Sequence, residues 1–285
     1  MGYGVPAYSL IKVIDTRFSQ TPSACCRARS TLKFNRQQKG YLMSTFETPS
    51  PPTSNRILNA LPLAEYKRLS AYLEPVEMGV GEVLYHPHEP ISHAYFPNRG
   101  TVSVVCQFED GKSVEAAMVG NEGMFGVCVF LGSITSPMEA VVQLPGDALR
   151  MRFDVLQAEF KRGEHLQDLL LRYTQAFIIQ IAQTAACNRA HPIDGRLARW
   201  LLMSQDRAHS PELQLTHEFI AQMLGTRRAG VSEAAGKLQE EGIIKYRRGH
   251  VSVLLREELE GRSCECYPIV EKEFQRLLGV SGQAR

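Results

Sequence analysis

The sequence predicts an α+β protein: an antiparallel β-roll, then one long helix, then a winged helix-turn-helix. Three observations predict it. Short apolar runs separated by turn residues fill the stretch from Val76 to Met151. Apolar residues at spacings of three and four take over from Phe153. Between Thr216 and Val253, apolar, small and glycine positions fall where two crossed helices and a hairpin require them.

The 285 residues suffice for two domains with cores of their own. The formal net charge is +2, yet the first 42 residues hold seven Lys/Arg and one acid, leaving the remainder at −4. Affinity for a polyanion must therefore come from a local patch. The seven cysteines are scattered, which argues for a reducing, cytoplasmic setting over a disulfide scaffold. Cys264-x-Cys266 has no further ligands near it in sequence, so these thiols are read as structural and no metal site is assigned. No apolar run reaches the roughly 20 residues of a membrane helix.

Residues 1–54 read as a disordered or mis-annotated extension, with Met43 as the expected start. An Arg-rich targeting segment and a basic DNA-touching tail are the alternatives. Asn55 to Leu73 reads as two short helices broken at Pro62, opening a roll domain over 55–163. Strands are expected at Val76–Met78, Val83–Tyr85, Ala94–Phe96, Thr101–Phe108, Ser113–Val119, Val141–Leu144 and Ala148–Met151. Asn98-Arg-Gly100 and Glu109-Asp-Gly111 are among the turn signals between them. Many short strands at such spacing form a roll or barrel.

Leu166, Leu170, Tyr173, Phe177, Ile181 and Thr184 then mark one face of a helix over 164–190. That face suits either a dimer seam or packing on the roll, and paired half-sites favour the seam. His191-Pro192 ends the helix, and Asp194 is the expected cap of the next, which opens a DNA-binding domain over 191–262. A helical extension is expected over 263–285.

Thr216 is placed to cap the first motif helix, with Glu218 at its positive end. Ile220, Ala221 and Leu224 form its inner face, Gly225 the turn, and Thr226 the expected cap of the second helix. Val231, Ala234, Ala235 and Leu238 would be buried, presenting Arg227 and Arg228 at the leading end. Ile243 to Val253 reads as a hairpin wing turning at Arg248-Gly249, with Lys245, Arg247, Arg248 and His250 suited to phosphates.

Over Asn55 to Leu259 this order resembles the Crp/Fnr family of transcription regulators. The likeness rests on Gly100-Thr-Val-Ser-Val104, Glu109-Asp-Gly-Lys112, Asp194-Gly-Arg-Leu-Ala198 and, most specifically, Thr216 to Val253. The resemblance implies a non-enzymatic regulator with a cyclic-nucleotide-binding-like roll. It implies a homodimer through 164–190, double-stranded DNA and RNA polymerase as partners, and no membrane. It places the guanine-reading arginine at Arg228, beside Thr226, Arg227, Ala229, Ser232 and Glu233. Ala229 and Glu233 depart from the family's glutamate and second arginine, so a different operator is expected.

The effector cassette departs as well. The cyclic-nucleotide-binding members use a glutamate and an arginine; Val127 and Pro137 or Met138 stand in their places. From Ser113 to Leu149 there is no Lys, Arg or His. A buried phosphate without a cation meets a desolvation cost of several kcal/mol, so cyclic AMP is not the expected effector. Phe125, Gly126, Val127 and Met138 are the candidate lining of another effector pocket, with ordinary roll core as the stronger reading. His86, His88 and His93 offer a metal- or haem-linked sensor as an alternative, solvated turn histidines being the plainer reading. A helix-turn-helix that binds protein is a second alternative. Nucleophile-elbow, phosphate-loop, metalloprotease and deaminase motifs are lacking.

Overall fold

The computed structural model describes residues 53–208, 210 and 212–279. The expectations for Met43 and the basic segment lie outside them. Two short helices, α1 (Arg56–Asn59) and α2 (Leu63–Ser70), lead into the roll. Asn55 caps α1, its Oδ1 accepting from Leu58 N at 3.3 Å. Its buried amide also donates to Pro97 O and Gly123 O, tying the helix to the roll.

The roll strands are β1 (Glu74–Met78), β2 (Val83–Tyr85), β3 (His93–Gln107), β4 (Ser113–Val119) and β5 (Glu139–Arg152). They pair antiparallel in the order β1-β5-β3-β4, with β2 also on β5. One expected turn is instead a bend within a continuous strand, and two expected strands are one. Asn98-Arg-Gly100 lies inside β3, where the register against β5 shifts around Arg99 and Thr101. Gly100 takes a φ of +88°, and a Cβ there would sit 2.7 Å from Leu144 O. Glycine therefore lets two strands cross closely instead of ending one. The expected Val141–Leu144 and Ala148–Met151 strands are likewise one strand, β5.

Thr101 to Val105 are all buried, because β3 is covered on both faces. Val102 and Val104 point into the roll with Ala117, Val119, Ala140 and Val142. Ser103 and Val105 point the other way, toward the carboxy-terminal half. Phe125 fills the roll core, and Val127 and Met138 pack at its margins. Gly126 turns with φ +98° into the 3-10 turn Val127–Val129.

After α3 (Phe153–Phe160) comes the long helix α4 (His165–Ala190). Its amino end is capped by Glu65 from α2, which accepts from His165 N at 3.3 Å and Leu166 N at 3.1 Å. The expected seam face is covered within the chain. Leu166, Leu170 and Tyr173 are fully buried, and Phe177 and Ile181 half-buried, against the roll. Tyr173 donates to Met124 O at 3.0 Å, and any side chain at Gly123 would overlap its ring. Burying three such side chains is worth about 1.5–3 kcal/mol each, which decides the face. The stripe left open is Leu171, Gln175, Ile178, Ala182 and Ala185.

The carboxy-terminal half contains α5 (Ile193–Ala208), β6 (Glu212–Gln214), α6 (His217–Met223), α7 (Arg228–Glu240), β7 (Ile244–Arg247), β8 (His250–Val253), α8 (Arg256–Arg262) and α9 (Cys266–Leu278). Asp194 lies in the first turn of α5, not at its cap, and pairs with Lys237 of α7 at 3.0 Å. α9 lies back along α4, and its Phe274 ring meets Tyr173 edge-on at 6.4 Å. The roll and this half share one core, with Val105, Met118 and Leu144 packed among Trp200, Leu201 and Met223.

Candidate nucleic-acid interface

Local chemistry explains the motif. Thr216 Oγ1 accepts from Phe219 N at 3.1 Å, which caps α6 as its sequence requires. Gly225 turns the chain with φ +58°, and Thr226 N donates to Ala221 O at 2.9 Å. The second helix starts one residue later than expected: Arg227 holds the cap position without a side-chain cap bond, and Thr226 lies outside it. Val231, Ala234, Ala235 and Leu238 bury one face of α7. Ile220 and Ala221 meet it from α6.

The opposite face carries the candidate contacts. Arg227, Arg228 and Ala229 at the leading end are exposed, as is Glu233 one turn on. Thr226 is half-buried beneath them. Ser232 is half-buried too, with its Oγ 2.9 Å from His217 Nδ1, so it helps hold α6 to α7. Glu233 lies 3.4 Å from Lys237, an arrangement that partly neutralises it.

The wing brings the remaining candidate contacts alongside. β7 and β8 pair through Ile244–Val253 to Arg247–His250, with Arg248 and Gly249 both at positive φ in the tight turn. Lys245, Arg247, Arg248 and His250 are all exposed. β6 adds a third strand on β8, an element its short polar sequence does not announce.

Two residues outside the expected set lock this surface. The His217 ring stacks on Tyr246 with centroids 4.0 Å apart, and His217 N donates to Tyr246 Oη at 3.2 Å. Burial, and then the nearby charge of Arg228, lower the His217 pKa below the ordinary histidine value. An aromatic one strand away from a helix-start histidine was the available signal. Pairing them required knowing the wing register.

The motif also rests on the roll. Gln222 Nε2 donates to Ser113 Oγ at 2.5 Å, and a Cβ on Gly225 would sit 2.7 Å from Val114 Cγ2. The β3–β4 turn and the front of α7 line one cleft, from Phe108 and Lys112 to Arg227 and Gly230. Arg227 lines this cleft yet stays exposed, as does Arg228 beside it.

In the roll, His86 and His88 are exposed and His93 is half-buried beside Ser92. The three do not form a converging ligand group among the described residues.

Residues 75–162 match the cyclic nucleotide-binding domain family, and residues 195–262 match the Crp-like helix-turn-helix domain family. The global nitrogen regulator of Nostoc sp. is 24% identical over 181 residues, covering 60% of this chain and 81% of that protein. A CRP-like cAMP-activated global transcriptional regulator of Mycobacterium tuberculosis is 24% identical over 204 residues, covering 68% and 90%. Among solved structures, FixK2 from Bradyrhizobium japonicum aligns with a TM-score of 0.58 at 17% identity, over 67% of this chain and 98% of that one. A Crp/Fnr-family transcriptional regulator from Thermus thermophilus aligns with 0.54 at 20%, over 67% and 98%. A roll of the cyclic-nucleotide-binding type, joined by a long helix to a Crp-like helix-turn-helix, places this chain in the Crp/Fnr family of transcription regulators.

Proposed function

We propose that the chain works as a homodimer that reads a two-fold-symmetric DNA site without responding to cyclic AMP. The observation that carries the reading of DNA is the exposure of Arg227 and Arg228 at the front of α7, flanked by four exposed wing residues. A guanidinium at that end suits the O6 and N7 acceptors of guanine, and the wing cations suit phosphates. Thr226 and Ala229 would approach the same bases, Ser232 would act through His217, and Glu233 would meet cytosine or repel phosphate.

The open stripe Leu171, Gln175, Ile178, Ala182 and Ala185 of α4 repeats at alternating spacings of four and three, as a two-helix seam does. A second copy of this chain is its proposed occupant. The roll offers a cyclic phosphate no cation between Ser113 and Leu149. The name of the Mycobacterium tuberculosis relative assigns cyclic AMP activation to that protein. For this chain calorimetry is expected to give no micromolar binding, and a micromolar dissociation constant would overturn that part. If Phe125, Gly126, Val127 and Met138 bound an effector, it would be apolar and would have to displace core.

A cytoplasmic location and contact with RNA polymerase belong to the same reading. Among the described residues no helix is long and apolar enough to cross a membrane. Gel shifts on the DNA upstream of the protein's own gene, across a salt series, test the reading. Binding that weakens steeply with salt supports it. No shift on that DNA or on random duplexes would favour a helix-turn-helix that binds protein.

A further inference from the structure

At the exit of α4 the fold gathers four side chains that the sequence keeps far apart. Cys187 is buried in the last helical turn, and His191 caps that turn, its N–H donating to Cys187 O. Cys264 and Cys266 arrive from the other side, where the chain leaves α8 and starts α9. The Cys264-x-Cys266 pair thus gains the two partners it lacks locally, one of them 77 residues earlier.

We propose that Cys187, His191, Cys264 and Cys266 bind one structural zinc ion. Their ligand atoms all lie within 4.8 Å of one another. Cys187 Sγ is 3.5 Å from Cys264 Sγ, and Cys266 Sγ is 3.4 Å from His191 Nδ1. A tetrahedral zinc ion with bonds of about 2.3 Å to sulfur and about 2.0–2.1 Å to nitrogen sets neighbouring ligand atoms about 3.6–3.8 Å apart. The observed spacings need only small adjustments. Three thiolates and an imidazole form a soft set that favours zinc over the hard divalent ions. A multi-iron cluster would hold its ligands on different metal atoms and hence farther apart.

The surroundings fit the same ion. With Nδ1 on the metal, His191 Nε2–H is left to donate to Glu265 Oε1, 3.2 Å away. Gln183 Nε2, one turn before Cys187, donates to Cys266 Sγ at 3.0 Å. Such outer partners fix the orientation of the ligands. All four positions are taken by protein, so the ion would leave none open for catalysis. Its place in the fold is informative. A Cβ on Gly195, in the first turn of α5, would lie 3.5 Å from Cys264 N, so α4, α5 and the start of α9 meet here. The ion would staple the exit of the DNA-binding half to the helix that carries the proposed dimer seam.

The full chain, purified under reducing conditions without chelator, provides the test. Elemental analysis is expected to find one zinc per chain. Chelation is expected to lower the melting temperature and to release the ligand thiols to alkylation. Cobalt(II) added to the metal-free protein should give thiolate-to-cobalt charge-transfer absorption and the intense visible bands of a tetrahedral site. Cys264→Ser and His191→Gln should each lose stoichiometric zinc, while Cys106→Ser, in the roll, should keep it. Should the first two variants fail to fold, the cobalt spectrum of the wild-type chain decides alone. Metal-free protein with no tetrahedral cobalt spectrum would overturn the proposal. So would a Cys187–Cys264 disulfide in the native protein, or zinc retained without Cys264.

Discussion

Trp200 of α5 donates its indole N–H to Glu115 Oε1 of β4 at 2.9 Å, in a contact buried from solvent on both sides. It opens a chain of hydrogen bonds across the boundary between the roll and the DNA-binding half. Glu115 Oε2 lies 2.6 Å from Ser103 Oγ, Ser103 Oγ lies 2.8 Å from Gln143 Oε1, and Gln143 Nε2 donates to Ser204 Oγ at 3.1 Å. Ser103 has one hydrogen for two acceptors. The chain closes in two ways: a protonated Glu115 donates to Ser103, which donates to Gln143, or the Gln143 amide turns over and Ser103 donates to an ionised Glu115.

Burial pushes the Glu115 carboxyl up to about 7, against the pull of its bonds to Ser103 and Trp200. A carboxylate raised above its unfolded value favours the fold when protonated. Its contribution is therefore complete below about 4.5 and lost as pH rises through about 7. Chemical denaturation from about pH 5 to about pH 8 should show that decline. Glu115→Gln should remove its pH dependence, because the amide is neutral throughout and still accepts from Trp200. An unchanged pH profile in that variant would contradict the assignment.

A second tie crosses the same boundary. Arg207 of α5 pairs with Glu122 at 2.8 Å, with side chains only 9% and 12% exposed. Removing one partner of such a pair leaves a buried charge uncompensated. Arg207→Met is expected to cost about 3 kcal/mol in denaturation, and the double variant Arg207→Met/Glu122→Gln clearly less than the sum of its singles. Additive losses would mean that the pair is not coupled.

The open stripe of α4 gives the next expectation. Ile178 is 58% exposed and Leu171 48%. Ile178→Glu should turn a dimer into a monomer in sedimentation equilibrium without unfolding it. Phe177, one residue earlier, packs on the roll and should instead lower stability when truncated. A dimer that survives Ile178→Glu would place the seam elsewhere.

Much of this was legible in the sequence where the determinants are local. Thr216, Gly225 and the Val231–Leu238 face define the motif within a few turns of chain, and Arg248-Gly249 defines the wing. What escaped depends on distant partners. Periodicity identified an apolar face on α4, but only the placement of the roll and α9 shows that Leu170 and Tyr173 are already covered. The true open stripe includes Gln175 and two alanines and so reads weakly. Gly100 carries a turn signal, yet its glycine is required by the backbone of β5 crossing beside it. The two cysteines before α9 looked unpartnered because Cys187 and His191 lie on another helix.

The wing and the recognition helix should separate in their effects. Arg247→Ala is expected to weaken all duplexes alike and to flatten the salt dependence, since it removes a phosphate contact. Fluorescence anisotropy across salt concentrations reads this directly. A loss confined to one sequence would place Arg247 on a base instead.

The most direct test is selection of bound sites from random duplex DNA, run in parallel on the native chain and on Arg228→Ala. The native chain is expected to enrich a two-fold-symmetric site with half-sites about 10–10.5 base pairs apart or a multiple of that. Arg228→Ala is expected to lose about 1–3 kcal/mol and the preference at one base pair of each half-site. Enrichment of no sequence by the native chain, or an unchanged site in the variant, would contradict the account.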